Sequence, residues 1–280
     1  MIHINEIPLD FEPRKKILPK LPACPGEPEM SEFESAFLCG ALKTFRPKKI
    51  LEVGVAGGAT TAIILQSLEN LGEPYEMHSV DIAEKFFRDP SKATGFMAAF
   101  AKEKIFGRLH GTHKFYLGKV LPQIIDEISG DIDFVILDTI HMLPGEVLDF
   151  IAMLPYLKVG TMVVIHDVVI NQIGILEHHP RSYSNAVLFS AVTAEKFLNF
   201  DEQGFFRYPN IGAFKVNEQT AENIDNVFLS LILRWKYLPP DEQLVAYRKL
   251  YRRFYPAELC EIFQEAVDMN VYNFMRANRK

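Results

Sequence analysis

The middle of the chain alternates between short apolar runs and longer amphipathic stretches. Five apolar runs have the length and bounding residues of strands, and they are KKILEVGV, EMHSVDI, THKFYLG, DIDFVILD and VGTMVVIHD. The unbroken apolar character of the fourth run predicts a strand that is buried on both faces. Strands that alternate with helices at this spacing predict an α/β fold with a doubly wound, mostly parallel, Rossmann-like sheet.

The two ends of the chain have other patterns. Residues 1–29 are rich in proline and charge, which predicts an extended N-terminal arm because proline restricts φ and lacks an N–H donor. The helix that follows begins with Ser31 and Glu34, the spacing of a capping box. After the fifth strand, we expect a helix over 186–198 and a closing pair of strands within 203–216.

The C-terminal tail has helical periodicity from Gln219. Pro239 ends the first helix, and two more are expected at about 241–254 and 256–277. This tail is too short for an independent domain, so we expect a helical subdomain that docks on the core or on a partner subunit. The predicted division is an arm (1–29), a central domain (30–217) and a helical subdomain (218–280).

Composition excludes several classes of protein. A chain of 280 residues with 48% hydrophobic residues can bury a full core, and its formal charge of −6 does not favour nucleic acid or an anionic membrane. Three widely spaced cysteines predict neither a disulfide framework nor a CxxC metal site. No secretory leader and no apolar run of bilayer length is found, so we expect a cytoplasmic protein with a small-molecule partner. A homo-oligomer, most simply a dimer, is expected on general grounds.

Polar and glycine residues stand at the predicted strand ends. In open parallel sheets, ligands bind at the carboxyl ends of the strands, so these residues should share one edge. They are Glu52, Asp81, Gly118, Asp138, His166 and Asp167.

The first strand is followed by three glycines in five positions, residues 54–58. A strand-to-helix turn of this kind lets the backbone approach a nucleotide, although a tight turn without a ligand is the alternative. The turn lacks G-x-G-x-x-G and the P-loop lysine, and Glu52 would repel a pyrophosphate. A nucleoside with a cationic end fits better, which predicts S-adenosylmethionine. Asp81 is then placed to accept hydrogen bonds from the ribose hydroxyls.

The stretch EVGVAGGATT, residues 52–61, resembles the first motif of class I S-adenosylmethionine-dependent O-methyltransferases. The similarity is to the catechol and caffeoyl-CoA type and to bacterial relatives that act on antibiotics and sugars, and it extends over about 31–216. Lys119 stands where that family usually has a small or acidic residue. The resemblance and the strand-end argument together give the expected cofactor residues: Glu52, Gly54, Gly58, Thr60, Asp81, Gly118 and Asp138.

The fourth and fifth strands extend the resemblance. In the catechol type, a strand ends in Asp, a basic residue stands three positions later, and the next strand ends in two metal ligands. Asp138, His141, His166 and Asp167 fill these positions. The resemblance implies a divalent metal, such as Mg²⁺ or Mn²⁺, on Asp138, His166 and Asp167, with His141 as the general base. The alternatives are that Asp138 caps a turn, that His166 only orients Asp167 and that His141 is solvated.

The predicted function is therefore methyl transfer from S-adenosylmethionine to a small-molecule hydroxyl, with Asp138 and His141 as catalytic residues and a metal as an expected assistant. Two alternatives stay open: a metal-dependent hydroxylase on the same fold, and a non-enzymatic binding or assembly protein on a methyltransferase scaffold. A dehydrogenase is disfavoured by the missing G-x-G-x-x-G. The loop with His178, His179 and Arg181 is either a substrate lid or a solvated loop.

Overall fold

One seven-stranded sheet organises the protein, in a computed structural model that describes residues 5–24, 30–173, 183–201 and 210–277. The strand order is β3-β2-β1-β4-β5-β7-β6. Neighbours among the first five strands pair in parallel, whereas β7 pairs antiparallel with both β5 and β6. This topology confirms the predicted doubly wound, mostly parallel sheet. The strands are β1 (Lys49–Val53), β2 (Glu76–Asp81), β3 (Thr112–Leu117), β4 (Ile132–Leu137), β5 (Leu157–His166), β6 (Glu195–Phe197) and β7 (Ile211–Lys215).

Helices cover both faces of this sheet. They are α1 (Glu12–Ile17), α2 (Glu32–Phe45), α3 (Ala59–Leu71), α4 (Phe96–Ala101), α5 (Ile125–Ile128), α6 (Gly145–Met153), α7 (Ile170–Ile173), α8 (Ser184–Ala191), α9 (Glu218–Glu222), α10 (Asp225–Ser230), α11 (Asp241–Phe254) and α12 (Ala257–Ala277). None of the helices in the described ranges is long and apolar enough to cross a membrane.

Strand alternation divides the hydrophobic core into two halves. Leu51 and Val53 of β1 point to the face covered by α6, α8 and α10–α12. Ile50 points to the opposite face, which α2 and α3 cover. Successive side chains of a strand point to opposite faces of the sheet, and this alternation decides which of them can reach a ligand on a given face.

The N-terminal arm is not extended throughout, which corrects the prediction made from its proline content. Pro13 and Pro19 lie in the first turns of α1 and of a 3₁₀ turn, Leu18–Lys20. Proline is well tolerated there because the first N–H groups of a helix have no intrahelical acceptor. Ile17 is fully buried against α2 and α3. Residues 1–4 and 25–29 of the predicted arm lie outside the described residues.

Two predicted elements have different bounds. The helix expected over 186–198 ends at Ala191, and its last residues form β6, because Phe197 packs into the core as an edge residue paired with β7. The closing pair of strands is β6 with β7, so only its second member lies within 203–216, and residues 203–209 lie outside the described residues.

The C-terminal helices complete one face of the core. The predicted helices near 241–254 and 256–277 are confirmed as α11 and α12, whereas the helix expected from Gln219 is divided into α9 and α10. Trp235, Tyr251 and Phe263 are buried in the same hydrophobic cluster as residues of β4 and β5. The division of the chain at residue 218 into separate units stays a prediction.

Candidate functional site

The turn between β1 and α3 requires glycine at two positions. Gly54 has φ of +96°, and a Cβ there would lie 1.7 Å from the backbone oxygen of Asp138. Gly58 begins α3 with φ of +85°, and its Cβ would lie 2.8 Å from the Cα of Gly95. Neither position accommodates a side chain, so the turn brings bare backbone close to Asp138, after β4, and to Gly95, before α4.

Asp81 holds this turn in place. One carboxylate oxygen accepts hydrogen bonds from the backbone N–H groups of Val55 at 2.9 Å and Ala56 at 3.0 Å. The other oxygen accepts from the N–H of Ala83 at 2.8 Å. The side chain predicted to bind ribose thus also shapes the glycine turn, a role that no local sequence pattern indicates.

Glu52 lies beneath the turn. Its carboxyl is 1% exposed and accepts hydrogen bonds from the hydroxyls of Thr61, at 2.9 and 3.0 Å, and Ser79, at 2.5 Å. Burial raises its pKa to about 8, against the opposing effect of these two donors. The pleat points Glu52 away from the face that carries Val53. The predicted contact of Glu52 with a cationic ligand, direct or through water, stays a prediction.

A cavity of about 460 Å³ opens at the carboxyl ends of β1, β2 and β4. Three predicted cofactor residues line it, namely Gly54, Asp81 and Asp138. The remaining four, Glu52, Gly58, Thr60 and Gly118, are not among the described residues that form its wall. Its size lies within the usual range for small-molecule sites. We call it the strand-end cavity.

Beside the strand-end cavity lies a group of ionisable side chains, the carboxylate–histidine cluster: Glu34, Asp138, His141, Glu146, His166 and Asp167. His166 Nδ1 lies 3.2 Å from an Asp138 oxygen and 3.4 Å from an Asp167 oxygen. His141 Nε2 lies 3.1 Å from the same Asp167 oxygen. The four residues predicted from the ends of β4 and β5 are therefore brought together.

His166 carries the positive charge of this cluster. Burial opposes that charge, but the carboxylates of Asp167 and Asp138 outweigh burial and raise the pKa of His166 well above its ordinary value. Its Nε2 lies 3.4 Å from Glu34, whose pKa the imidazole lowers against the effect of burial. The environment of His166 is thus that of a protonated, ion-paired side chain.

One group of side chains has the spacing of metal ligands. Asp138, His141 and Asp167 each offer a ligand atom, and these atoms lie within 4.8 Å of one another. Two carboxylates and an imidazole suit a divalent cation. The predicted ligation by His166, whose Nδ1 lies 3.2 Å from Asp138 and 3.4 Å from Asp167, stays a prediction.

Three further residues belong to the site. Glu146 is fully buried and accepts hydrogen bonds from Thr139 at 2.8 Å and from the His141 N–H at 2.6 Å. The Asn210 amide donates to Asp167. The sequence signal for Glu146 was an acid within the apolar segment of α6, whereas Glu34 was assigned only to the capping box with Ser31, which is confirmed.

The backbone is strained at two cluster positions. His141 has φ of +60° and Asp167 has φ of +59°, both in the left-handed region that non-glycine residues rarely adopt. Such conformations persist only where the surrounding structure enforces them, and they concentrate at functional sites. The predicted lid with His178, His179 and Arg181 lies outside the described residues.

Comparison with known proteins agrees with this architecture. Residues 51–168 match the family model described as a methyltransferase domain, a range that begins in β1 and ends just after Asp167. A search of curated protein sequences finds no match.

Similar solved structures include three methyltransferases. An S-adenosylhomocysteine-bound methyltransferase from Podospora anserina is 15% identical, with a TM-score of 0.45 over 68% of this chain and 80% of that one. An O-methyltransferase from Bacillus cereus in complex with S-adenosylhomocysteine is 17% identical, with a TM-score of 0.44 over 73% and 90%. The O-methyltransferase TomG from Streptomyces achromogenes, in complex with S-adenosylmethionine, is 16% identical, with a TM-score of 0.43 over 74% and 91%. These likenesses concern the fold.

The matched domain and the sheet topology agree with the predicted class. Residues 51–168 match a methyltransferase domain, and the predicted Rossmann-like sheet is confirmed.

Proposed function

We propose that the protein transfers the methyl group of S-adenosylmethionine to a hydroxyl of a small molecule. The observation that carries the proposal is the strand-end cavity, in which the bare Gly54 backbone, Asp81 and Asp138 face one space. A nucleoside with a short charged extension has the size and polarity that this space accommodates.

Asp81 is the expected partner of the ribose. Its two oxygens accept three backbone hydrogen bonds, and an ionised carboxylate has about four acceptor positions. Acceptor capacity is therefore left for a sugar hydroxyl. The same side chain then couples cofactor binding to the shape of the glycine turn.

His141 is the expected proton acceptor for the substrate hydroxyl. Its Nε2 is paired with Asp167, which favours the tautomer with hydrogen on that nitrogen. Nδ1 is buried beside carboxylate oxygens of Glu146 at 3.7 Å and Asp138 at 3.9 Å, and it has no hydrogen-bond partner among the described residues. Its enforced left-handed backbone is the kind of strain found where a side chain is held for chemistry.

The proposal also includes a divalent metal ion. Asp138, Asp167 and His141 would hold it, and a bound ion would polarise an acceptor hydroxyl. If the ion binds His141, that side chain is a ligand and cannot also be the base. Activity after exhaustive chelation and after metal is restored distinguishes these two roles of His141.

The test begins with calorimetry of S-adenosylhomocysteine binding to the purified protein. Binding with one site per chain supports the proposal, and no measurable binding ends it. Radiolabelled methyl transfer to a panel of phenols, catechols and sugars then identifies the acceptor. The variant Asp138→Asn should bind cofactor less tightly and lose turnover. A non-enzymatic scaffold would keep its function in that variant, and bound iron with oxygen-dependent turnover would favour a hydroxylase.

The predicted dimer and the predicted cytoplasmic location are parts of the same proposal. Sedimentation of the purified protein tests the first, and localisation of a tagged full-length chain tests the second.

A further inference from the structure

One wall of the strand-end cavity comes from outside the matched domain. Tyr237, Pro239, Gln243 and Tyr247 line it from the segment before α11 and from α11 itself. Together with Asp149, which lies on α6, they form what we call the helical wall. The C-terminal helices thus contribute directly to the ligand site.

Asp149 is the polar centre of the helical wall. The residue is 8% exposed, and its Oδ1 accepts a hydrogen bond from the Tyr247 hydroxyl at 2.5 Å. Its Oδ2 has no hydrogen bond within the part of the chain that the structure describes. Burial raises the pKa of this carboxyl to about 7, with Glu146 adding to the effect and the Tyr247 hydroxyl opposing it. Because an acceptor without a hydrogen bond in a buried site is unfavourable, a ligand that donates a hydrogen bond to Asp149 Oδ2 would be stabilised in the cavity.

The position of Asp149 in the cavity indicates which part of the ligand this side chain contacts. Asp81 and the glycine turn lie at the ends of β2 and β1, where the sugar and its charged extension are expected. The segment after β3 lines the cavity with Lys119, Val120 and Leu121, and the loop before α4 adds the buried Thr94, whose hydroxyl has no hydrogen-bond partner among the described residues. The helical wall adds the carboxyl of Asp149, which can accept a hydrogen bond from an amino donor of the nucleobase.

Two aliphatic side chains of the strand-end cavity are placed to pack against a planar ligand group. Ile82 is 57% exposed and Ile140 is 42% exposed, and both line the strand-end cavity. Together with Phe87, which is 66% exposed and lines the same cavity, they form an exposed apolar group, and such patches mark ligand-binding grooves. Ile82 follows β2 and Ile140 follows β4, so they approach the cavity from two strand ends.

We propose that Asp149 recognises the exocyclic amino group of adenine, with the base covered by Ile82 and Ile140 and the carboxyl held in place by Tyr247. This inference rests on the proposed function. Gln243 borders the same space, and its side-chain amide is placed to meet the ring edge, while its backbone N–H donates to Pro240 at 2.9 Å. Specificity for the cofactor base then comes from a carboxyl on α6 and a helix outside the matched domain.

The chemistry gives a direct test. Adenine carries an amino donor at carbon 6, whereas hypoxanthine carries an oxo acceptor there. An ionised carboxylate rejects that acceptor but a protonated carboxyl does not, so binding is measured at about pH 8.5, above the raised pKa of Asp149. Calorimetry should show that the wild-type protein binds S-adenosylhomocysteine at least about tenfold more tightly than S-inosylhomocysteine. Equal affinities would overturn the inference without the use of any variant.

The variant Asp149→Asn sharpens the test, because a carboxamide can donate to the oxo group. We expect its preference for adenine to fall by about tenfold or to reverse. A drop in both affinities with an unchanged ratio would mean that Asp149 is only structural. The matched control is Asp126→Asn, which alters another tyrosine-bonded carboxyl, since Tyr156 donates to Asp126 at 2.6 Å away from the cavity. This control should keep the wild-type ratio.

The failure of this inference is distinguishable from failure of the proposed function. A wild-type protein that binds neither analogue contradicts the proposed function, and with it any role of the base. A wild-type protein that binds S-adenosylhomocysteine without discriminating the base contradicts only the role of Asp149. Thermal unfolding of each variant shows that the affinities belong to folded protein.

Discussion

The two walls of the strand-end cavity are built in different ways. The wall at the sheet edge consists of strand ends and the glycine turn, where backbone atoms approach each other so closely that Gly54 admits no Cβ. The helical wall consists of side chains, such as Asp149 and Tyr247, from segments about a hundred residues apart. The first wall is determined by local sterics, and the second by how α11 packs on α6. A substitution at the sheet edge should therefore act through the backbone, and one in the helical wall through a single contact.

The largest effect is expected from Gly54→Ala. The added Cβ would lie 1.7 Å from a backbone oxygen at a left-handed φ, so the turn must deform. We expect a loss of more than about 3 kcal/mol of stability and no measurable binding of S-adenosylhomocysteine. Thermal unfolding and calorimetry measure the two effects.

Gly57→Ala is the matched control. Its φ lies outside the left-handed region, and its Cβ would lie 3.5 Å from the Met97 sulfur and from the Phe86 ring, an ordinary contact. Near-wild-type stability and binding are expected. If both alanine variants behave alike, the sterics of Gly54 are not what shapes the turn.

The next largest effect is expected from His141→Gln. Loss of a general base should lower kcat by about 10²–10⁴-fold, while the affinity for S-adenosylhomocysteine stays near the wild-type value because His141 does not line the cavity. The exposed His110, which pairs with Glu69 at 2.7 Å, provides the control His110→Gln. A cofactor affinity that falls as much as kcat would place His141 in the binding site instead.

A third prediction concerns pH and Glu52. Because its folded pKa is raised to about 8 from 4.5, the protonated form is favoured by folding, and the wild-type protein loses stability as the pH rises from about 4.5 through 8. Glu52→Gln lacks this titration but keeps acceptor and donor atoms for Thr61 and Ser79. The variant should gain stability relative to the wild type over this range, by a few kcal/mol above pH 8.

Melting temperatures of both proteins between pH 5 and 9 provide the measurement for Glu52. The difference between them should widen with pH and then level off. A constant difference would show that Glu52 is ionised in the folded protein throughout. Glu242→Gln, at an exposed position on α11, controls for a general effect of charge removal.

The smallest effect is expected from Tyr247→Phe. The change removes one buried hydrogen bond to Asp149 and should cost about 1 kcal/mol of stability, with a severalfold weaker binding of S-adenosylhomocysteine. Tyr156→Phe removes the similar bond to Asp126 and should lower stability without changing the affinity. If the two variants bind S-adenosylhomocysteine equally tightly, the helical wall takes no part in ligand binding.

Much of the sheet edge could be predicted from the sequence. Apolar runs located the five parallel strands, and the glycine turn and Asp81 followed from what a nucleoside site requires. Asp138 and Asp167 were placed at strand ends, and the structure brings them together. These features depend on residues that are near one another along the chain or on the rule that parallel strands end at one edge.

Other parts of the site required tertiary contacts. Glu34 satisfies the capping box with Ser31 and also meets His166, and only the packing of α2 beside the sheet produces the second contact. Glu52 was assigned to the ligand because it ends a strand near the turn, but the pleat directs it to Thr61 and Ser79.

The sequence by itself determined the strands, the glycine turn and the ends of α11 and α12, because hydrophobic period and backbone sterics act over a few residues. Only the tertiary structure decided that His141 lies within ligand distance of Asp138 and Asp167, and that α11 borders the cavity. Side-chain direction at a strand end and helix docking depend on contacts between distant segments, which no local pattern specifies.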